Sequence, residues 1–531
     1  MRHKKNKINR LIATMLMSMV VCSAFGQSKS DRPTLMVGIV IDQLRSDYIE
    51  MLKDHFGEDG FNRLLRSGVC FENVDFKIPH PDIASGTAIL YTGAYPNVNS
   101  ITSYKIRNRA TRNDERILHD PEAMGNFTAE TLSPRAISVS TLCDEARIAS
   151  IGLSNVYSFA PDAQQAIIMA GHSANGAFWI NDVDGKWSTT TFYKDVPSVI
   201  QARNYATPLA SRLDTMSWRP MASSEKYVAL PTHRRMYPFR YFYGKTETQR
   251  YRAYKESALV NDEVTSVAID CIAKLSLGKR KELDIVNIGL TAAPYTYGVT
   301  ADYSYELQDT YLRLDRELAR IFRAIDSAVG MDNAVVFVAS TGYFDDHSAD
   351  EERFNVPTGK FYPKRAVSLL NMFLIAKYGN GEWLNGYDEG RFYFNRSAIK
   401  DANLDITDMR MRSAEFLRLM SGVKEAYALE EIVNNPVTPE AKAMYLATSN
   451  ANSADVYIEI LPGWTIVHDT PSQRNRTVRG NAVNTPIILC APGLKAEKVR
   501  TAVDATFLAP TVARVLRIRS PNGACDKPLA F

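Results

Sequence analysis

The residues able to do chemistry gather where apolar runs stop. Thr34 to Ile41 is a continuous apolar stretch ending in Asp42, and Asn333 to Ala339 is another, followed a few residues later by Asp345, Asp346 and His347. A carboxylate or imidazole at such a point can bind a metal, move a proton or cap a helix. Six cysteines are present. Five of them, Cys70, Cys143, Cys271, Cys490 and Cys525, follow residue 26 with no C-x-x-C pair, so neither a disulfide framework nor a cysteine zinc site is expected and buried free thiols are.

The elements that must position these residues read as strands and helices in alternation. Thr34–Ile41, Asp284–Leu290, Asn333–Ala339 and Thr485–Cys490 lack polar alternation, as strands covered on both faces do. Between the second and third of these, Asp309 to Val329 carries Tyr311, Leu314, Leu318, Phe322 and Ile325 at helical spacing. Strand, amphipathic helix and strand in that order imply a right-handed crossover in a mostly parallel sheet. The expected fold is therefore α/β, doubly wound, with helices on both faces of the sheet and ligands outside the carboxyl ends of its strands. Two stretches break the pattern, about 193–252, with the aromatic run Tyr237 to Tyr243, and about 382–439; both are expected to be inserted cap segments on one α/β domain spanning 27–531. The Tyr237–Tyr243 aromatics are read as packing of the insertion before a ligand platform.

Composition excludes several classes. With 531 residues, 45% hydrophobic and 23% charged, the chain is neither disordered nor fibrous. Its +4 formal charge comes from Arg2, Lys4, Lys5, Lys7 and Arg10, which precede the apolar stretch Leu11–Val21 and the small-x-small sequence Ala24-Phe25-Gly26. Residues 1–26 thus read as a signal peptide cleaved before Gln27, and the protein as periplasmic or otherwise exported; a lipoprotein anchored at Cys22 is the weaker alternative, because Val21 stands where a small residue is wanted. The remaining chain is balanced in charge, which argues against nucleic acid as a partner, and no segment is long and apolar enough for a transmembrane span.

From Val37 to Tyr48 the sequence resembles the alkaline phosphatase superfamily, in particular phosphate-irrepressible alkaline phosphatases and the related nucleotide pyrophosphatase/phosphodiesterases. Gly60–Leu65, Tyr91–Gly93, Ser133–Arg135, Ala170–Ala177, Asp309–Arg316, Ala509–Thr511 and Pro521–Gly523 agree in order. The resemblance implies an alkaline-phosphatase-like fold and phosphoryl transfer by two zinc ions, a Thr or Ser nucleophile and about six Asp and His ligands. Carried over position by position, it implies a site that is mostly gone. Asp42 is the one retained ligand. The nucleophile position is Ile83, the other ligand positions fall on Pro294, Gly298, Ser340, Thr341 and Asn484, and the phosphate contacts fall on Tyr104, Asp162 and Gln164. None of the eight histidines stands at a zinc position.

The expectation is a pseudoenzyme without a cofactor, acting through a small ligand or a protein partner of the cell envelope. The alternative is an active phosphomonoesterase or phosphodiesterase with zinc in a remodelled site, using Asp42, Ser85 or Thr87 as replacement nucleophile, and Asp345 with His347. Asp42 also has a plain reading as the cap of the next helix, Asp345 to His347 as a solvated or capping loop, and His172 as a structural hydrogen-bonding residue.

Overall fold

The computed structural model describes residues 32–529 apart from 110, 228–238, 246, 248, 293–303, 345–356, 435, 451, 469–474 and 479–482. Residues 1–26, and with them the expected signal peptide and Cys22, lie outside the described part. No described helix is long and apolar enough to cross a membrane.

The central sheet is built from β1 (Leu35–Asp42), β2 (Val69–Asp75), β3 (Val156–Ala160), β4 (Gly176–Ile180), β5 (Asp284–Thr291), β6 (Ala334–Ser340) and β7 (Thr485–Cys490), with short strands at both edges. Its order is β2-β7-β6-β1-β5-β3-β4. β6, β1, β5, β3 and β4 run parallel, whereas β7 is antiparallel to both β6 and β2. All eight residues of β1 are buried because the strand serves two cores at once. Val37, Ile39 and Ile41 enter one apolar cluster and Met36 and Val40 the other, the alternation a pleated strand imposes.

The second cluster is closed by α1 (Ile83–Thr92) and α2 (Ala163–Ala170), and the first by a long helix that follows β5. Helix α3 (Tyr305–Ala328) presents Tyr311, Leu314, Leu318, Phe322 and Ile325 to the sheet, and Ser304 caps it by accepting from Leu307 N. The crossover β5-α3-β6 passes over β1, which lies between the two strands.

The segment 193–252 packs against α3 through a buried carboxylate. Asp309 accepts from Trp218 Nε1 (2.7 Å), Met221 N (2.6 Å), Tyr227 OH (2.9 Å) and Arg313 Nε (2.6 Å). Of the aromatic run, Phe239 and Tyr241 stack on each other and meet Trp218 edge-on and tilted respectively, which is packing of the segment. A second lobe spans 359–478 and has its own core and a four-stranded sheet of Leu384–Asp388, Arg391–Phe394, Val456–Ile460 and Val423–Ala428, in that order; residues 382–439 are its middle part.

This lobe is tied down at Asp455, which is fully buried. Its carboxylate accepts from Arg109 (3.1 Å), Arg396 (2.9 Å), Arg410 (2.7 Å) and Phe394 N (2.8 Å). Arg109 belongs to the loop between Lys105–Arg107 and Asp114–Arg116, so the contact joins the lobe to the main domain. Asp455→Ala removes the one acceptor three guanidiniums share, and a broken buried pair costs about 3–5 kcal/mol. The expected outcome is a lower urea midpoint with the lobe unfolding first, read from the fluorescence of Trp383 and Trp464; an unchanged midpoint would show that the lobe is held elsewhere.

Candidate functional site

The carboxyl ends of β1, β5 and β6 come together because the parallel register pairs Asp42 with Thr291 and Ile41 with Ser340. Asp42 does not cap the next helix. That helix, Ser46–Leu52, begins after Arg45 with no side-chain cap, and Gln43, at φ 60, turns the chain sharply after the strand. Both carboxylate oxygens of Asp42 are instead engaged by hydroxyls: Thr341 Oγ1 donates to Oδ1 (2.8 Å) and Tyr343 OH to Oδ2 (3.1 Å). Thr341 Oγ1 in turn accepts from Gln43 N (3.1 Å). Asp42 is 4% exposed, and Ser340 and Thr341 are fully buried.

Helix α1 starts beside this point. A Cβ on Gly86 would lie 2.0 Å from the Thr341 carbonyl oxygen, so only glycine lets the helix approach β6 this closely. The start of α1 is fixed by Asp82, whose Oδ1 accepts from Ala84 N, Ser85 N and Ser85 Oγ, while its Oδ2 accepts from Tyr104 N. Burial holds the Asp82 carboxyl above its usual range in spite of these bonds. Ile83, half-buried, is the first residue of the helix. Ser85 and Thr87, the replacement nucleophiles considered from sequence, are both fully buried, Ser85 in the capping box and Thr87 donating to the Ile83 carbonyl (2.6 Å). Neither hydroxyl faces an open site.

The positions implied as phosphate contacts are closed on one another. Tyr104 OH donates to Asp162 Oδ2 (2.7 Å), Gln164 Nε2 donates to the Tyr104 carbonyl (2.8 Å), and Asp162 Oδ1 caps α2 by accepting from Gln164 N and Gln165 N. Asn484 gives its carbonyl to Ser46 N (2.9 Å). Pro294, Gly298, Asp345, Asp346 and His347 lie outside the described residues. The donor set that is described, one carboxylate already bonded to two hydroxyls beside Ser340 and an asparagine, does not fit a zinc ion, and among the described residues no group of three or more His, Cys, Asp or Glu side chains is disposed to hold one.

An open cleft of about 370 Å³ lies between this end of the sheet and the second lobe, within the range of roughly 300–1,000 Å³ typical of small-molecule sites. Its charged lining was not legible in the sequence: His80, Asp82, Lys105 and Arg252 come from one side and Asp388, Glu389, Arg391, His468 and Arg476 from the other. The one usable signal was Asp82-x-x-Ser85 before an apolar run, a capping-box pattern. Arg391 donates to Asp388 (2.6 Å) and to Ser103 Oγ (3.1 Å). Burial raises the Asp388 carboxyl to about 6 even so. For Glu389, burial is outweighed by Arg476 and then His80 and Arg391, which hold its pKa below the usual range. Desolvation within the cleft, and then the Arg476 charge, lower the His80 pKa to about 4, so it is neutral at pH 7.

Residues 36–482 match the sequence profile of the type I phosphodiesterase / nucleotide pyrophosphatase family. The chain belongs to this family. Among its relatives, alkaline phosphatase PafA of Elizabethkingia meningoseptica is 26% identical over 96% of this chain and 97% of its own. Alkaline phosphatase PhoV of Synechococcus elongatus is 27% identical over 95% and 94%. The crystal structure of wild-type PafA superposes with a TM-score of 0.81 at 24% identity, covering 94% of this chain and 98% of that one, which establishes the alkaline-phosphatase-like fold. Murine ectonucleotide pyrophosphatase/phosphodiesterase 5 matches more distantly, with a TM-score of 0.51.

The phosphodiesterase-family segment around His172 is structural in its contacts. His172 Nδ1 lies 2.8 Å from Asp144 Oδ2 and Nε2 lies 3.1 Å from the Ile137 carbonyl, an arrangement in which both ring nitrogens are donors when the ring is charged. Burial alone would lower the His172 pKa, but Asp144 outweighs it and raises it; for Asp144 burial is likewise outweighed, chiefly by His172, and its pKa is lowered. The His172 contribution to stability is therefore complete below its unfolded value of 6.5 and lost as pH rises through the raised folded value, whereas that of Asp144 is lost as pH falls below 3.8 toward the lowered one. The melting temperature is expected to fall as pH rises above about 6.5, and His172→Gln to flatten that slope. An unchanged slope in the variant would assign it to other groups.

Proposed function

We propose that this chain is an exported, catalytically silent member of the phosphodiesterase family that acts by binding, in the cleft at the carboxyl end of its sheet, a small ligand or a partner of the cell envelope. The observation that carries this reading is the pair of hydroxyls on Asp42. Where the resemblance implies a metal, Thr341 and Tyr343 take both oxygens, and a ligand set with one carboxylate does not retain zinc at trace concentrations. Two further features support it. A side chain without a nucleophilic atom stands at Ile83, and Asp162 replaces positive charge near a phosphoryl group with negative charge, opposite to what stabilises such a transition state. The basic and apolar leader supports export.

That the relatives are alkaline phosphatases favours a second reading, an active phosphoric ester hydrolase whose zinc is bound by Asp42 with Asp345 and His347. The two readings separate on the purified mature protein. The silent reading expects substoichiometric zinc by mass spectrometry and no turnover of nitrophenyl phosphate or its diester above the rate of an Asp42→Ala variant. Stoichiometric metal with turnover that Asp42→Ala abolishes overturns it.

A further inference from the structure

The second lobe sends one hairpin into the cleft, and the residue at its tip is not the one the turn asks for. Asp388 pairs with Arg391 across a two-residue loop in which Glu389 has φ 42 and Gly390 φ 81, the left-handed pair of a type I′ turn. Asn, Asp and Gly suit the first of these positions; a longer side chain there is strained and its presence calls for a reason other than the turn. The Glu389 carboxylate is half-exposed toward the cleft and lies 3.5 Å from Arg476 Nη2, with the imidazoles of His80 and His468 lining the same space. One contact at this length is not the bidentate pair that a guanidinium makes with an unconstrained carboxylate. The tether holds the acid near the cation without letting it dock fully.

The surroundings define what would dock better. Arg391 is committed to Asp388 and Arg252 to Glu256 (3.2 Å), Lys105 is exposed to solvent, and the two imidazoles supply hydrogen-bonding edges, so Arg476 is the cation that the hairpin tip presents to a bound anion; Asp82 and Asp388 nearby disfavour a dianion. Tyr104, Tyr343, Phe344, Tyr457 and Met444 furnish an aromatic and apolar wall. Thr102, which lines the cleft and is 6% exposed, keeps a buried hydroxyl with no hydrogen-bond partner among the described residues.

We propose that Glu389 is a tethered stand-in for the ligand of this cleft, that the ligand is a monocarboxylate on an aromatic or apolar body, and that it binds by displacing the Glu389 carboxylate from Arg476. The proposal rests on reading the cleft as a site of binding, and it adds both the ligand class and a built-in competitor that sets the affinity.

The test is calorimetric titration of the full mature chain with phenylacetate, benzylamine and inorganic phosphate as probes. In Glu389→Gln, phenylacetate affinity is expected to rise roughly threefold to tenfold, as removing a weak competing ion pair allows. Glu389→Asn, which suits the turn, is expected to show the same gain with a melting temperature at or above wild type, so that a folding defect cannot imitate the result. Arg476→Met is expected to lose the phenylacetate signal, and benzylamine and phosphate to gain nothing from either Glu389 variant. No gain for phenylacetate in the two Glu389 variants, an undiminished signal in Arg476→Met, or an equal gain for phosphate would each overturn the proposal. Turnover of nitrophenyl phosphate, measured on the same preparations, would overturn the silent reading separately while leaving the carboxylate result to stand by itself.

Discussion

The architecture depends on buried carboxylates that cannot be left without donors. An ionised acid in the interior is tolerated only when its oxygens are saturated, so each one forces distant segments to converge on it. Asp309 draws Trp218, Met221 and Tyr227 onto α3. Glu263, also fully buried, gathers Trp187 Nε1 (3.0 Å), Arg203 (2.6 Å) and Arg212 (2.7 Å), and these charges hold its pKa low against the effect of burial. Asp455 does the same for the second lobe. Around Asp309 and Glu263 the converging segments also join the main apolar core through Trp218, Leu209 and Leu213, and the carboxylates fix their register within it.

The same requirement explains what has happened at the end of the sheet. Parallel register delivers the residues after β1, β5 and β6 to one place whatever their identity, because hydrogen bonding between strands fixes their positions. Asp42 is delivered there, buried, and needs partners. Thr341 and Tyr343 provide them, and the Asp82 capping box and the Tyr104–Asp162 bond satisfy the neighbouring acids in the same way. Hydroxyl and amide donors do the neutralising that the resemblance assigns to metal ions and basic side chains.

Much of the fold was legible in the sequence, for identifiable reasons. β1, β5 and β6 are buried on both faces and so appear as unbroken apolar runs, and α3 shows its stripe because only one side meets the sheet. The antiparallel direction of β7 was not legible, since an apolar run such as Thr485–Cys490 carries no sign of which way it points. The second lobe was only partly visible: its strands are short, and Asp455 owes its role to Arg109, which lies in a distant part of the chain. Asp42 misled as a helix cap because the left-handed turn at Gln43 rotates the chain before the helix starts, a conformation sequence spacing does not announce. The cleft was the least legible feature, since its walls combine residues near 80–105 with residues near 388–476.

The way the lobes are joined bears on how the cleft can work. Arg107 donates to the Asn385 carbonyl (2.9 Å), Arg112 pairs with Glu382 (2.9 Å), and Arg391 reaches Ser103, all on a partly exposed border. Exposed ion pairs of this kind contribute about 0–1 kcal/mol each. The Arg109 contact to buried Asp455 is the exception, being shared among three guanidiniums in a dry environment. The second lobe is thus fastened at Asp455 and by the packing of Leu446 and Ala447 on the main core, whereas the polar contacts that border the cleft are weak. A ligand that engages Arg476 on the lobe and Tyr104, Tyr343 and Phe344 on the main domain would strengthen the weak side, and its binding free energy would then appear as added stability of the lobe, because a ligand bound only by the assembled cleft stabilises the whole assembly by mass action. Such a coupling needs no reactive group at Ile83 and no metal at Asp42.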